Sequence, residues 1–297
     1  MLTIDPKETK TSILHSYLLG AVAPRPIAFA STMDKEGNPN LSPFSFFNVF
    51  SANPPIAVFS PARRGRDNTT KHTFENIKEV KEVVINMVSY EMVEQMSLAS
   101  TEYHKGVNEF EKSGFTPINS DLVKPFRVKE SPVQMECKVI NIIELGYSAG
   151  AGNLIVCEIV KMHISEDVLN ENNMIDPFKI DLVARMGGNW YCRANGEALF
   201  EVEKPLATMG IGVDQIPKSI VNSNILTGND LGKLGNVEKL PDETEVNEFK
   251  LMELSDLFIR LKDKPEELQR ELHEMARALL KEGKVRDAWK TLLTFNG

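Results

Sequence analysis

Residues 63–73, RRGRDNTTKHT, place three arginines, a lysine and three threonines within one short run. A phosphate dianion is held by cationic and hydroxyl donors, and this run supplies both. Taken alone, it also reads as a solvated basic loop. A second stretch, PFSFFN (43–48), crowds phenylalanine with Ser45 and Asn48. An extended backbone there would offer N–H and C=O groups at fixed spacing, anchored from behind by aromatic side chains, which suits a flat amphipathic ligand. Phe44, Phe46 and Phe47 read first as core and wall, since aromatics at strand spacing usually pack inward.

Other candidate motifs carry less. GYSAG (146–150) fits the serine turn of a hydrolase nucleophile elbow, but that turn must lead into a helix. Here AGNLIVCEIVKMHI follows, rich in Val and Ile, so Ser148 is expected near the tip of a β-hairpin. The glycines at 150 and 152 lack the following helix that a dinucleotide fingerprint needs. The five histidines show no close metal-ligand spacing, and no metal site is expected. Cys137, Cys157 and Cys192 are odd in number and widely spaced, which fits reduced, packed thiols.

The elements that must position these residues fall into two parts. Up to about residue 205, short apolar runs broken by turn residues predict strands at 27–33, 56–60, 83–88, 133–145 and 154–164, as in a barrel or sandwich. MDKEGNPN (33–40) carries the residues of a hairpin turn, and one helix is expected after Ser89, where Met92, Val93 and Met96 recur. Pro54 and Pro55 should end one segment and set the entry to the next strand. From 206 onward the stretch 228–248 is polar and glycine-rich, as a linker or surface loop would be. Three apolar helical stripes follow: Leu254, Leu257, Phe258 and Leu261; Leu268, Leu272, Met275 and Leu279; Val285, Trp289, Leu292 and Leu293. The domains are therefore drawn at 1–205 and 206–297, the second being a linker with a helical C-terminal extension.

Composition sets the outer limits. With 42% hydrophobic and 26% charged residues the chain is that of an ordinary globular protein. The net charge of -8 argues against nucleic acid as the main partner. No apolar run is long enough to span a bilayer and the N-terminal residues lack a signal-peptide pattern, so no membrane partner and a cytoplasmic location are expected.

Four segments occur in a telling order: APRPIAFASTMDKEGNPNLSPFSFFN, SANPPIAVFS, KHTFENIKEVKEVVIN and SPVQMECKV, with VARMGGNWY closing the stretch. Together, from about Ala23 to about Tyr191, they resemble the flavin reductase-like proteins of the FMN-binding split-barrel group, flavoredoxin and its relatives. The resemblance implies a mainly β fold, a six-stranded antiparallel split barrel of Greek-key type, usually a homodimer with FMN (or FAD in its place) near the interface. It maps Lys71 and Thr73 onto the phosphate site, with Arg64 as a further partner; His72 stands where relatives have an acid. Ser45, Phe46, Phe47 and Asn48 would lie along the isoalloxazine, with Ser31 and Thr32 approaching from the neighbouring strand.

On the substrate side the resemblance brings His104, Asn108 and Phe110 to the face where nicotinamide or another electron partner approaches, and Arg185 to the flavin or the partner subunit. Many flavin reductases have a Gly-His pair entering the last long strand, whereas this chain has Gly152-Asn153. The implied activity is an FMN-dependent oxidoreductase that passes electrons from NAD(P)H through flavin to a small-molecule or redox-protein acceptor. Two alternatives stand beside it: a flavin-carrying electron-transfer protein with no NAD(P)H site, and a barrel that has lost its cofactor. No catalytic acid or base is nominated, because the cofactor carries the reactivity.

Overall fold

The computed structural model describes residues 1–206 and 209–295. Residues 207, 208, 296 and 297, all within the expected helical extension, lie outside the described residues. The chain divides into two compact units, Met1–Phe200 and Glu201–Gly297.

The first unit opens with α1 (Thr11–Ala21), then β1 (Ala28–Met33), β2 (Pro39–Phe44), β3 (Phe47–Ala52) and β4 (Pro55–Phe59). After α2 (His72–Glu79) come β5 (Glu82–Asn86), α3 (Val93–Leu98), α4 (Glu109–Ser113) and a small ribbon of β6 (Pro117–Ile118) with β7 (Arg127–Val128). The long β8 (Val133–Glu144) and β9 (Asn153–Ile164) follow, and β10 (Val183–Arg185) pairs with β11 (Tyr191–Arg193).

All pairings of the main sheet are antiparallel, in the order β2-β1-β5-β8-β9-β4-β3. Its two end strands are consecutive in the chain, separated only by Ser45 and Phe46. The stretch 39–52 is thus one bent strand whose first half pairs with β1 and whose second half pairs with β4. Counted so, the sheet is a six-stranded barrel, closed by chain continuity and split at the bend. This is the expected split barrel, and a helical extension follows it in the chain.

The interior is filled by Ala30, Phe44, Phe59, Ile85, Met135 and Ile155, and α2 closes it with Phe74 and Ile77. The other face of β1 presents Phe29 to a second cluster containing Met92, Met96 and Phe110, so β1 is buried along its whole length. The turn Asn53–Pro54 joins β3 to β4, as the double proline implies. Two register shifts in the β8–β9 pairing, one with its extra residue at Val160 and one at Ile140, bend the two twelve-residue strands around the barrel. β8 and β9 pair from Val133↔Ile164 to Glu144↔Asn153. Ser148 therefore lies on a hairpin loop, exposed, with no helix behind it, and the nucleophile-elbow geometry is absent there. Among the described residues no helix is long and apolar enough to cross a membrane.

The second unit holds α5 (Lys218–Val221), α6 (Gly228–Gly235), α7 (Glu243–Glu253), α8 (Ser255–Arg260), α9 (Pro265–Lys281) and α10 (Val285–Leu293). The expectation of a loop over 228–248 is overturned. Thr227 and Asp230 form a capping box that starts α6, and Asp242 and Glu245 form another that starts α7. These caps satisfy the free amides that would otherwise make so polar a stretch a poor helix. Leu234 is fully buried and its carbonyl accepts from Trp289 Nε1 at 3.0 Å, which ties α6 to α10.

The stripe expected on α9 also needs correction. Leu268 and Leu272 are buried and Leu279 packs half-buried as expected, but Met275 is 37% exposed and its place in the packed face is taken by Ala276 and Leu280, on the i, i+4 row from Leu268. The stripes on α8 and α10 are as expected, with Leu254, Leu257 and Leu261 in one core and Trp289 and Leu292 in another.

Candidate functional site

The basic run folds back on itself in the turn that leads to α2. The Arg64 amide donates to Thr69 O at 2.8 Å, the Asn68 amide donates to Arg64 O at 3.0 Å, and Asn68 adopts a left-handed φ of 58° that closes the turn. Arg63 is spent on this loop, its Nε donating to Asn68 Oδ1 at 2.8 Å. Arg64 donates from Nη1 to Thr69 Oγ1 at 3.0 Å and to the carbonyl of Thr70. Three cations then converge on one carboxylate: Arg64 Nε at 3.2 Å, Lys71 Nζ at 3.2 Å and Arg66 Nη2 at 3.1 Å from Glu102. The hydrogen bond from Lys71, with Arg64 and Arg66 close by, holds the Glu102 carboxyl below the usual glutamate range against a smaller opposing effect of burial.

Lys71 occupies the N-cap position of α2, so this cluster sits at a helix N-terminus, where the backbone also favours negative charge. His72 begins the helix. Partial burial, then the charges of Arg64, Lys105 and Lys71, depress its pKa against the opposing pull of Glu75 and keep the imidazole neutral at pH 7. Arg64 and Lys71 border a cleft lined also by Asn40, Thr73 and Glu109.

Below the cleft lies a buried polar network. Thr73, 1% exposed, turns its hydroxyl inward and donates to Asn40 Oδ1 at 2.8 Å. Asn40 Nδ2 donates to Glu109 Oε1 at 2.9 Å, and the Leu41 amide donates to Glu109 Oε2 at 3.2 Å. Thr32 joins through Asn40, its Oγ1 donating to Asn40 Oδ1 at 3.4 Å, and it accepts from Asn76 Nδ2 at 3.2 Å. Burial pushes the Glu109 carboxyl above the usual glutamate range, although the donors from Leu41 and Asn40 oppose it. Ser31, on the opposite face of β1, is fully buried, and its hydroxyl has no hydrogen-bond partner among the described residues.

The remaining predicted residues make no hydrogen bond or ion pair to this cluster among the described residues. Ser45 and Phe46 form the bend between β2 and β3; Ser45 Oγ accepts from Arg25 Nε at 3.4 Å, and Phe46 is 39% exposed with its ring edge-on to His15. Phe47 points into the barrel core. Asn48 is exposed, and its Oδ1 accepts from the Val49 amide at 2.8 Å. His104 is exposed in the loop before α4. Asn108 is the N-cap of α4, accepting from the Phe110 amide at 3.1 Å, so its side chain is committed to the helix.

Arg185 stacks on the Tyr191 ring at 4.5 Å, and its backbone bridges to Arg25. Arg25 itself, 5% exposed, donates to the carbonyls of Leu19, Val22 and Met186 and so fastens the end of α1 near Ser45. Asn153 is fully buried; its Nδ2 donates to Pro61 O at 2.8 Å and its Oδ1 is unpartnered among the described residues.

Sequence reasoning missed Glu102, Glu109, Asn40 and Arg66. Only Arg66 carried a local signal, its place in the basic run; the others act through contacts with residues 31 to 69 positions away. Away from these residues, Asp121, Glu136 and His163 bring their potential ligand atoms within 4.8 Å of one another. The buried Glu136 already accepts from the Asp121 and Leu122 amides and touches His163 at 2.7 Å, and Lys161 pairs with Asp121, so their lone pairs are used internally.

The donor set fits a flavin phosphate. Three cations converge on the Glu102 oxygens, and the same donors have the chemistry a phosphate needs. The model of the flavin reductase like domain matches residues 20–179. An uncharacterised protein of Aquifex aeolicus is 40% identical over 196 residues, covering 66% of this chain and 97% of that protein. The structure of nitrilotriacetate monooxygenase component B from Bacillus cereus is similar with a TM-score of 0.63 and 30% identity, over 68% of this chain and 98% of that one. A 2-nitrobenzoate 2-nitroreductase from Pseudomonas fluorescens gives 0.59 and 27%, over 70% and 100%. These relatives are spanned almost whole by about two thirds of this chain, and the family match stops well short of the helical unit.

Proposed function

The chain belongs to the flavin reductase like domain family, and from that premise we propose that it binds FMN at the basic turn before α2 and passes electrons from NAD(P)H through the flavin to a second acceptor. At the coarser level the family makes it a flavin-dependent oxidoreductase. The observation that carries the finer reading is the convergence of Arg64, Arg66 and Lys71 on a single carboxylate position at the N-terminus of α2. Bound FMN would supply the hydride and single-electron chemistry. The chain's part is to grip the phosphate with Arg64 and Lys71, to keep His72 neutral beside it, and to offer the bent strand at Ser45–Asn48 to the ring.

A second reading, a flavin-carrying electron-transfer protein with no nicotinamide site, draws support from two details. Asn108 is committed to capping α4, and Asn153 stands at the Gly-His position with its side chain buried. The visible spectrum of the purified protein, followed by acid release and chromatography, tests the cofactor; a colourless protein that takes up no added FMN would refute the proposal. Steady oxidation of NADH or NADPH by the loaded protein then separates the two readings.

The homodimer is part of the same proposal. The outer row Asn141–Val156–Val58–Asn48 runs across β8, β9, β4 and β3 with its two valines half-buried, and Phe50 near it is 70% exposed. The apolar area of Phe50 and these valines fits a second copy of the chain. Sedimentation velocity is expected to give the mass of two chains, and a monomer at micromolar concentration would reject the pairing.

A further inference from the structure

We infer that Glu102 is a built-in competitor for the phosphate position, so that a flavin phosphate gains its cations only by displacing the Glu102 carboxylate. The inference rests on the proposal that this cluster is the phosphate site, and goes beyond it by assigning a role to an acidic residue there. Glu102 pairs with Arg64, Arg66 and Lys71 at 3.1–3.2 Å. A carboxylate and a phosphate present similar oxygens to a guanidinium or ammonium, so the two cannot both take the same donors. Neither Arg64 nor Lys71 pairs with any other carboxylate among the described residues, and Arg66 has only its neighbour Asp67 at 3.5 Å.

The chain position of Glu102 gives the competition a consequence. It lies in the segment between α3 and α4, the segment that also carries His104 and leads to the Asn108 cap. While Glu102 holds the cations, this segment is tied to the basic turn by ion pairs that reach from position 102 back to positions 64, 66 and 71. A phosphate that takes over those cations frees the segment. Glu102 therefore sets both how tightly a phosphate-bearing flavin binds and how firmly the loop is fastened in its absence. It is a specificity-determining residue, and it discriminates by phosphate alone, because riboflavin has the same ring but no anion to compete.

The test compares wild type with Glu102→Gln, both freed of flavin. Glu102 is 40% exposed on its side chain, so the fold should tolerate glutamine, and the circular dichroism spectrum checks it. FMN is expected to bind the variant about tenfold more tightly, while riboflavin affinity stays within about twofold, given partly screened ion pairs. As a flavin-independent readout, millimolar inorganic phosphate should raise the melting temperature of the variant more than that of wild type. If Arg64→Ala and Lys71→Ala weaken FMN binding but Glu102→Gln leaves it unchanged or weaker, the competition is refuted and the phosphate site stands. If none of the three substitutions changes FMN affinity, the phosphate assignment falls and the inference falls with it. An equal gain for riboflavin would also overturn it.

Discussion

Removing the Glu109 side chain should loosen the floor of the cleft by an amount that can be worked from its partners. Glu109 is 4% exposed and accepts from Asn40 Nδ2 at 2.9 Å and from the Leu41 amide at 3.2 Å. The Leu41 amide belongs to β2, an end strand of the sheet order, and Glu109 supplies its acceptor. In Glu109→Ala both buried donors lose their partner, at about 1–3 kcal/mol each. Relief from burying a charge offsets part of this, leaving a destabilisation of about 3 kcal/mol. For a domain of this size that lowers the melting temperature by about 6–12 °C, read by calorimetry or circular dichroism.

Glu109→Gln keeps one acceptor and should cost about half as much. The pH dependence has a definite sign. Burial raises the folded-state pKa of Glu109 above its unfolded value, so its contribution is fully present below the ordinary glutamate pKa and is lost as pH rises through the folded value. The melting temperature of wild type relative to Glu109→Gln should therefore increase as pH is lowered from about 8 to about 5. A Glu109→Ala protein that melts within about 1 °C of wild type, or a difference that shrinks toward acid, would refute the reasoning.

The other expectations concern the cations and the thiols. Arg64→Ala combined with Lys71→Ala should weaken FMN binding by about a hundredfold or more, measured by flavin fluorescence quenching, since charge-assisted bonds are worth about 1.5–3 kcal/mol each; an unchanged affinity would move the phosphate elsewhere. Burial, with Glu136 adding to it, pushes the Cys137 thiol up to about 12, and burial likewise raises Cys157, while Cys192 is only half-buried. A disulfide reagent at pH 8 should therefore label one thiol promptly in the folded protein and all three after denaturation, and prompt labelling of three in the native state would contradict the packing.

The barrel was legible because its strands are local events. Val83, Val84 and Ile85 are buried in β5 for the reason their β-branching suggests, and the apolar runs at 133–145 and 154–164 are the two long strands almost to the residue. The hairpin at Ser148 was readable too, since a Val/Ile-rich run after a turn cannot be the helix that an elbow needs. What the apolar pattern concealed were elements specified by polar residues. The T-x-x-D at 227–230 and D-x-x-E at 242–245 are capping boxes written in the sequence, yet the surrounding Gly, Asn and Glu outweighed them in a reading based on composition. Helix α2 was hidden for a related reason: it is eight residues long, and its inward face includes Thr73 and Asn76 beside Phe74 and Ile77.

The site shows the same limit more sharply. A run of Arg, Lys and Thr advertises an anion, and that much is local. Whether the run is a solvated loop or a binding site depends on what faces it, and charge alone cannot say. What faces it in the structure is Glu102, 31 positions beyond Lys71, and a floor in which Thr73 donates to Asn40 and Asn40 to Glu109. Thr73 was legible as a hydroxyl near a phosphate; its hydroxyl is in fact engaged from below, where it fixes the first turn of α2 and with it the position of Lys71. A residue free to meet a ligand and a residue that holds its neighbour in place look alike in a motif. They are distinguished by burial: Lys71 keeps 30% of its side chain in solvent, where a ligand can reach it, and Thr73 keeps 1% of its surface.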